Sequence, residues 1–185
     1  MPAPAKVSDD EVVAAARRLI EREGPAALSM NAVAEEVGVR APSLYKRFAD
    51  RAALLAAVQR QVFAELGHRL EVAAARPGPQ QALAAMATAY RAFARAKPHL
   101  YTLMFAPDVA HDAAGDDARR LAAQPIVSRL GDWVGRERAL PTARVLTAFV
   151  HGFVSMELQG AFRLGGDVDD AFALGLDLLL SSFGR

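Results

Sequence analysis

Apolar residues recur along this chain every three to four positions, and glycine or proline interrupts them at intervals. That is the pattern of successive amphipathic helices. Val12, Val13, Ala16, Leu19 and Ile20 share one face of a helix expected over residues 9–23. Ser8 and Glu11 make an S-x-x-E capping box at its start, with Asp9 and Asp10 against the positive end of the helix dipole, and Gly24-Pro25 stops it. A second helix opens after Ser29 as N-cap, carries Met30, Val33, Ala34 and Val37, and ends at Gly38. A third spans 41–48, with Pro42 in its first turn, where a missing N–H costs nothing. Asp50 caps a long fourth helix that should reach about residue 75. Arg76-Pro77-Gly78-Pro79 is the clearest break. Beyond it the pattern predicts helices over 79–96, 99–105, 117–137, 142–164 and 168–183, a loop over 107–117, and breaks at Pro141 and Gly165-Gly166-Asp167. About nine helices and no strand alternation place the chain in the all-α class.

Composition narrows the chemistry. Hydrophobic residues make up 52% of the 185, enough for a packed core. The absence of cysteine excludes disulfides, thiolate metal sites and cysteine nucleophiles, and agrees with a cytoplasmic protein. The N-terminal residues have no apolar core of signal-peptide length, and the longest apolar run, 174–180, is interrupted by Asp177 and falls short of a membrane span. Histidines 68, 99, 111 and 151 are scattered, and neither a phosphate loop nor a nucleophile with a placed base is visible, which argues against an enzyme and against a cofactor. Net charge is +1, so bulk charge says nothing for nucleic acid and local clustering must decide.

The clustering is focused. Residues 1–55 are neutral, yet Arg40, Lys46, Arg47 and Arg51 fall in and beside the third helix against a single acid, Asp50. The second and third helices are joined by Val37-Gly38-Val39-Arg40. A close helix crossing needs a small residue, supplied by Ala34; the turn needs a residue tolerant of positive φ, supplied by Gly38; Val39 can plug the gap between the helices. Leu44 and Phe48, at i and i+4, should face inward, leaving Ser43, Lys46 and Arg47 outward and Tyr45 at the border.

Ser29, Ala34, Gly38-Val39, Leu44-Tyr45-Lys46-Arg47-Phe48, Asp50, Arg51 and Leu54 stand at the offsets of the helix-turn-helix of the TetR family of repressors, which the chain resembles over residues 8–58. The resemblance implies a DNA-binding head over 1–50 and a ligand-binding and dimerisation body over 51–185. It implies that Arg40, Ala41, Pro42 and Ser43 lie at the groove-facing start of the recognition helix, and that Ser29, Tyr45, Lys46 and Arg51 contact phosphates. Arg40 stands where the family often has Ser or Thr, and it could read a guanine or sit on a phosphate.

For the body, the resemblance implies an interhelical pocket for an unknown small-molecule effector. Met86, Tyr90, Phe93, Met104, Trp133, Phe149, His151, Phe153 and Glu157 are the candidate lining; an ordinary core is the alternative for the apolar ones. Phe149 to Leu158 resembles the signature of a TetR subgroup named for Trp, His and Gly, with Thr147 in place of the Trp. His151 and Glu157 are either polar anchors for ligand or partners buried for stability. Phe172, Leu176, Leu179, Leu180 and Phe183 form one stripe on the last helix, and Leu174 and Leu178 a second. Such a helix wants two partners, so the 142–164 and 168–183 helices are the expected homodimer interface. The expected function is a ligand-responsive repressor that binds a palindromic operator; a helical-bundle enzyme and a ligand-independent DNA-binding protein are the rivals.

Overall fold

The computed structural model describes residues 7–106, 109 and 112–184. Its regular elements are nine α-helices and one 3-10 turn, with no strand among the described residues: α1 (Asp9–Glu23), the 3-10 turn Pro25–Ala27, α2 (Met30–Glu36), α3 (Ala41–Tyr45), α4 (Arg51–Ala74), α5 (Pro79–Ala96), α6 (Pro98–Leu103), α7 (Ala113–Val134), α8 (Arg136–Leu158) and α9 (Val168–Phe183). No helix among the described residues is long and apolar enough to cross a membrane.

The described chain divides into two compact units. The first comprises residues 1–63 and 97–118. Its core is the apolar face of α1 closed by Leu28, Val33, Ala34, Leu44 and the first half of α4. The capping box forms as the sequence dictates: Ser8 Oγ accepts the Glu11 N–H, and the Glu11 carboxylate accepts the Ser8 N–H at 2.7 Å. The bond from the Ser8 N–H, with the one from the Ser8 hydroxyl, holds the Glu11 carboxyl below the usual carboxylate range. Helix α6 packs on α1. There Lys97 pairs with Glu21 at 3.3 Å, and His99 Nδ1 lies 3.2 Å from the Glu21 carbonyl. Buried Gln59 donates from its amide to the carbonyls of Leu103 and Met104 at 3.0 and 3.2 Å.

The second unit comprises residues 64–96 and 119–185. Helix α5 packs against α8 and α9 and buries Leu83, Met86, Tyr90 and Phe93. The end of α4 crosses α7 closely enough that a Cβ on Gly67 would lie 3.0 Å from the Ala122 Cα. Nearby, Arg129 donates to the Ala74 carbonyl.

Several boundaries differ from expectation, among them the end of α3, at Tyr45 rather than 48. The break assigned to Pro141 lies at Gly135 (φ 85°), and Pro141 sits inside α8. Helix α8 ends at Leu158 rather than 164, because Gly160 (φ 64°) closes a Schellman turn: its N–H bonds to the Glu157 carbonyl and the Ala161 N–H to Met156. Helix α7 starts at Ala113 inside the expected 107–117 loop, and residues 107, 108, 110 and 111, including His111, lie outside the described residues.

Candidate nucleic-acid interface

The second and third helices are built by local chemistry. Ser29 Oγ caps α2 by accepting the Ala32 N–H at 3.1 Å. At its other end Gly38 takes φ 69°, its N–H bonds to Glu35, and the Val39 N–H reaches back to the Ala34 carbonyl at 2.9 Å. This closed turn reverses the chain into α3. Arg40 is the extended N-cap residue of α3, Pro42 fills its first turn, and Leu44 anchors it at 1% exposure. Ala41 and Phe48 are half-buried.

Everything else on α3 faces solvent. Arg40, Pro42, Ser43 and Lys46 are exposed, and Tyr45 is 54% exposed. The side chains of Arg40 and Lys46 have no hydrogen-bond or ion partner among the described residues. The structure thus brings Arg40, Pro42, Ser43, Tyr45 and Lys46 onto one polar, cationic ridge. Ser29 is exposed as well, its hydroxyl oxygen engaged in capping.

Two neighbouring cations are placed differently. Arg47, expected to face outward, is half-buried and paired with Asp9 at the start of α1. Arg51, expected on a phosphate, is part-buried, and its guanidinium donates to the carbonyls of Leu28 and Pro25, both at 2.7 Å. Two of its nitrogens tie the 3-10 turn and the α2 entry to the start of α4, a clasp inside the unit. Nothing in residues 40–51 signals this, because the accepting carbonyls lie 23 and 26 positions upstream.

In the second unit the nine residues grouped from the sequence separate. Met86 and Tyr90 line a narrow, partly open crevice with room for about one water molecule, together with Ala87, Ile126, Leu146, Thr147 and Val150. Phe93 is fully buried core, and Met104 is buried in the first unit. Trp133 packs edge-on against Phe183, with centroids 6.2 Å apart. Phe149 stacks on Phe172 of α9 with centroids 5.8 Å apart, and Phe153 meets the same ring edge-on at 5.1 Å. His151 is half-buried, and that burial lowers its pKa below the ordinary histidine value.

Glu157 belongs to an ion cluster that the sequence grouping missed. Arg91 of α5, 7% exposed, donates to both Glu157 carboxylate oxygens at 2.7 and 2.8 Å and approaches Asp169 at 2.6 Å. Arg95 joins at 3.8 Å from Glu157 and 3.2 Å from Asp169. The Arg91 guanidinium lies 4.7 Å from the Phe172 ring centre and 5.5 Å from that of Phe153. The bonds that Arg91 donates to Glu157 raise its pKa above the usual value, against the opposing effect of burial. A signal for it was present: Arg91 falls on the buried stripe of α5 with Leu83 and Ala87, where an arginine needs an acid from another helix.

Comparison with known proteins places these geometries. Residues 12–58 match the family of bacterial regulatory proteins described as the tetR family, and residues 83–179 match the tetracyclin repressor-like C-terminal domain. An HTH-type transcriptional regulator from Mycobacterium tuberculosis is 31% identical over 183 residues, covering 96% of this chain and 80% of the relative. A solved structure of a protein of unknown function from Rhodococcus sp. RHA1 superposes with a TM-score of 0.82 at 27% identity, covering 100% of this chain and 98% of its own. A TetR variant from Acinetobacter baumannii AYE, solved in complex with minocycline, shares the fold at a TM-score of 0.72 and 23% identity, covering 97% of each chain.

Proposed function

The chain belongs to the TetR family of DNA-binding transcription regulators, and from that premise we propose that it is a cytoplasmic homodimeric repressor whose two α3 ridges enter successive major grooves of a palindromic operator and withdraw when an effector binds the second unit. In a two-fold dimer those grooves lie one helical turn apart, about 34–36 Å. The observation that carries the reading is the exposed α3 ridge with its two cations, Arg40 and Lys46, which have no partner among the described residues. Lys46 is suited to a phosphate. Arg40, at the tip of the helix beside Ala41, Pro42 and Ser43, is suited to a base edge.

The family and the apolar strips left exposed on α8 and α9 support the dimer. The walls of the crevice support an effector that is largely apolar. Ligand pockets usually occupy about 300–1,000 Å³, so a drug-sized effector has to part α5, α7 and α8 as it enters. It represses or derepresses only through the difference in its affinity for the two states. The small crevice also favours a second reading, a regulator without effector.

The experiment selects duplexes from a random pool with the full-length protein and measures their binding by fluorescence anisotropy. Arg40→Ala with Lys46→Ala should abolish binding and leave the dimer intact. A double variant that binds as tightly as the parent overturns the head assignment. An apolar compound that raises the Tm and releases DNA supports the effector; stabilisation without release rejects it.

A further inference from the structure

Helices α8 and α9 form an antiparallel pair. Phe149 stacks on Phe172, and a Cβ on Gly175 would sit 2.8 Å from the Phe149 ring. The side of this pair away from α5 carries apolar residues with nothing on them: Val145 and Met156 on α8 are 51% and 48% exposed, and Leu174 and Leu178 on α9 are 62% and 63% exposed. Between Val145 and Met156 lie exposed Ala148 and Gly152, and a Cβ on Gly152 would meet open space.

Charges edge this strip asymmetrically. At about 100° per residue, Arg144 lies on the edge of α8 turned away from α9, and Asp177 on the edge of α9 turned away from α8. The two therefore point to opposite flanks of the hairpin. Both are exposed, and neither has a hydrogen-bond or ion partner among the described residues. A positive flank on one helix and a negative flank on the other make the face complementary to itself.

Resting on the dimer reading above, in which this face takes a second copy of the chain, we propose that Arg144 pairs with the partner subunit's Asp177, twice per dimer, to set the register of the interface. A two-fold axis running along the helices lays α8 over the partner's α9 at the same level. The contact of Phe149 with Phe172 defines the levels within the chain. Five residues back along α8 and five forward along α9 bring Arg144 level with Asp177. The apolar strip supplies association, and the flanking charges reject a slipped or inverted dimer.

The test uses charge reversal in the full-length protein. R144D puts acids on both flanks and D177R puts bases on both, so each variant repels itself at two symmetric points. Each alone should dimerise at least about tenfold more weakly than the parent, by sedimentation at low salt with the far-ultraviolet circular dichroism unchanged. Mixed at equal concentration, the two should form a heterodimer in excess over either homodimer by native mass spectrometry, and that excess should fade as salt is raised. Single variants that dimerise like the parent and mix at random overturn the pairing while leaving the dimer in place. A parent that stays monomeric at micromolar concentration overturns the dimer itself, and the pairing with it.

Discussion

The two units handle positive charge in opposite ways. In the first, Arg40 and Lys46 stand in water at the two ends of α3 with no partner among the described residues. In the second, Arg91 is drawn inward, bonded to two carboxylates and covered by two aromatic rings. A cation without an internal partner is available to a ligand, whereas a buried cation with its bonds satisfied contributes to architecture. Arg51 shows that the distinction runs through the head as well. It lies in the basic cluster by sequence, yet its guanidinium is engaged by two carbonyls. Position in a motif therefore does not decide a cation's work; its partners do.

The contrast breaks most visibly at Arg91. Arg91→Ala leaves Glu157 partly buried without its bidentate donor, with Arg95 at 3.8 Å as a weak substitute. The expected loss is about 3 kcal/mol by urea denaturation. Replacing both sides, Arg91→Met with Glu157→Leu, should recover much of that loss, because no uncompensated charge remains. A loss under about 0.5 kcal/mol for Arg91→Ala would mean that the cluster is a surface pair like any other. Arg51 comes next. Arg51→Ala removes two charge-assisted bonds to the Pro25 and Leu28 carbonyls and should destabilise by about 2 kcal/mol. Arg51→Lys keeps the charge and loses the fork, so it should cost nearly as much. Unchanged stability in both variants, with weaker DNA binding, would return Arg51 to the phosphate backbone.

These cases mark what could be read from residues alone. The head was legible because its signals are local: Ser8 with Glu11, Ser29 three positions before the N–H it caps, and Gly38 at the only φ its turn accepts. The end of α8 was not, since Gly160 lies within an apolar stretch and the double glycine at 165–166 is the louder stop. Proline misled at 141 because proline marks a helix end only when the surrounding bonds also stop, and here the chain turns at Gly135 instead. The candidate pocket dispersed because aromatic content does not say which neighbour each ring meets: Phe149 and Phe153 face α9, and the crevice is walled largely by Met86, Ile126, Leu146 and Val150. Arg47, Arg51 and Arg91 depend on partners 38, at least 23 and 66 residues away, beyond the reach of periodicity.

The free cations of the head sharpen the comparison through DNA. Arg40→Ala should weaken binding about tenfold or more to the selected operator, while leaving binding to unrelated duplex little changed, if the guanidinium reads a base edge. Lys46→Ala should weaken both by a similar, smaller factor and lower the slope of log affinity against log salt by about one. If Arg40→Ala instead behaves like Lys46→Ala, with equal losses on all sequences, then Arg40 contacts the backbone and specificity comes from Pro42, Ser43 or the shape of the groove. Neither substitution should move the Tm, since neither side chain bonds to any of the described residues.

Glu11 is the smallest test and the cleanest contrast with that ridge, since it is an exposed charge whose partners are internal. The Ser8 N–H, then the Ser8 hydroxyl, and at longer range Arg47 favour its ionised form. Its folded pKa is depressed, so the stability it lends is fully present above the unfolded glutamate value, about 4.3, and is lost as pH falls through the lower folded value. Glu11→Gln should therefore melt slightly below the parent at neutral pH, and the gap should close in acid as the parent's carboxyl takes up its proton. A gap that persists unchanged at pH 3 would mean that shape, and not charge, is what Glu11 contributes to the box. Operator affinity at neutral pH should be the same in both proteins, because the cap stabilises the start of α1 and leaves the Arg40 and Lys46 side chains untouched.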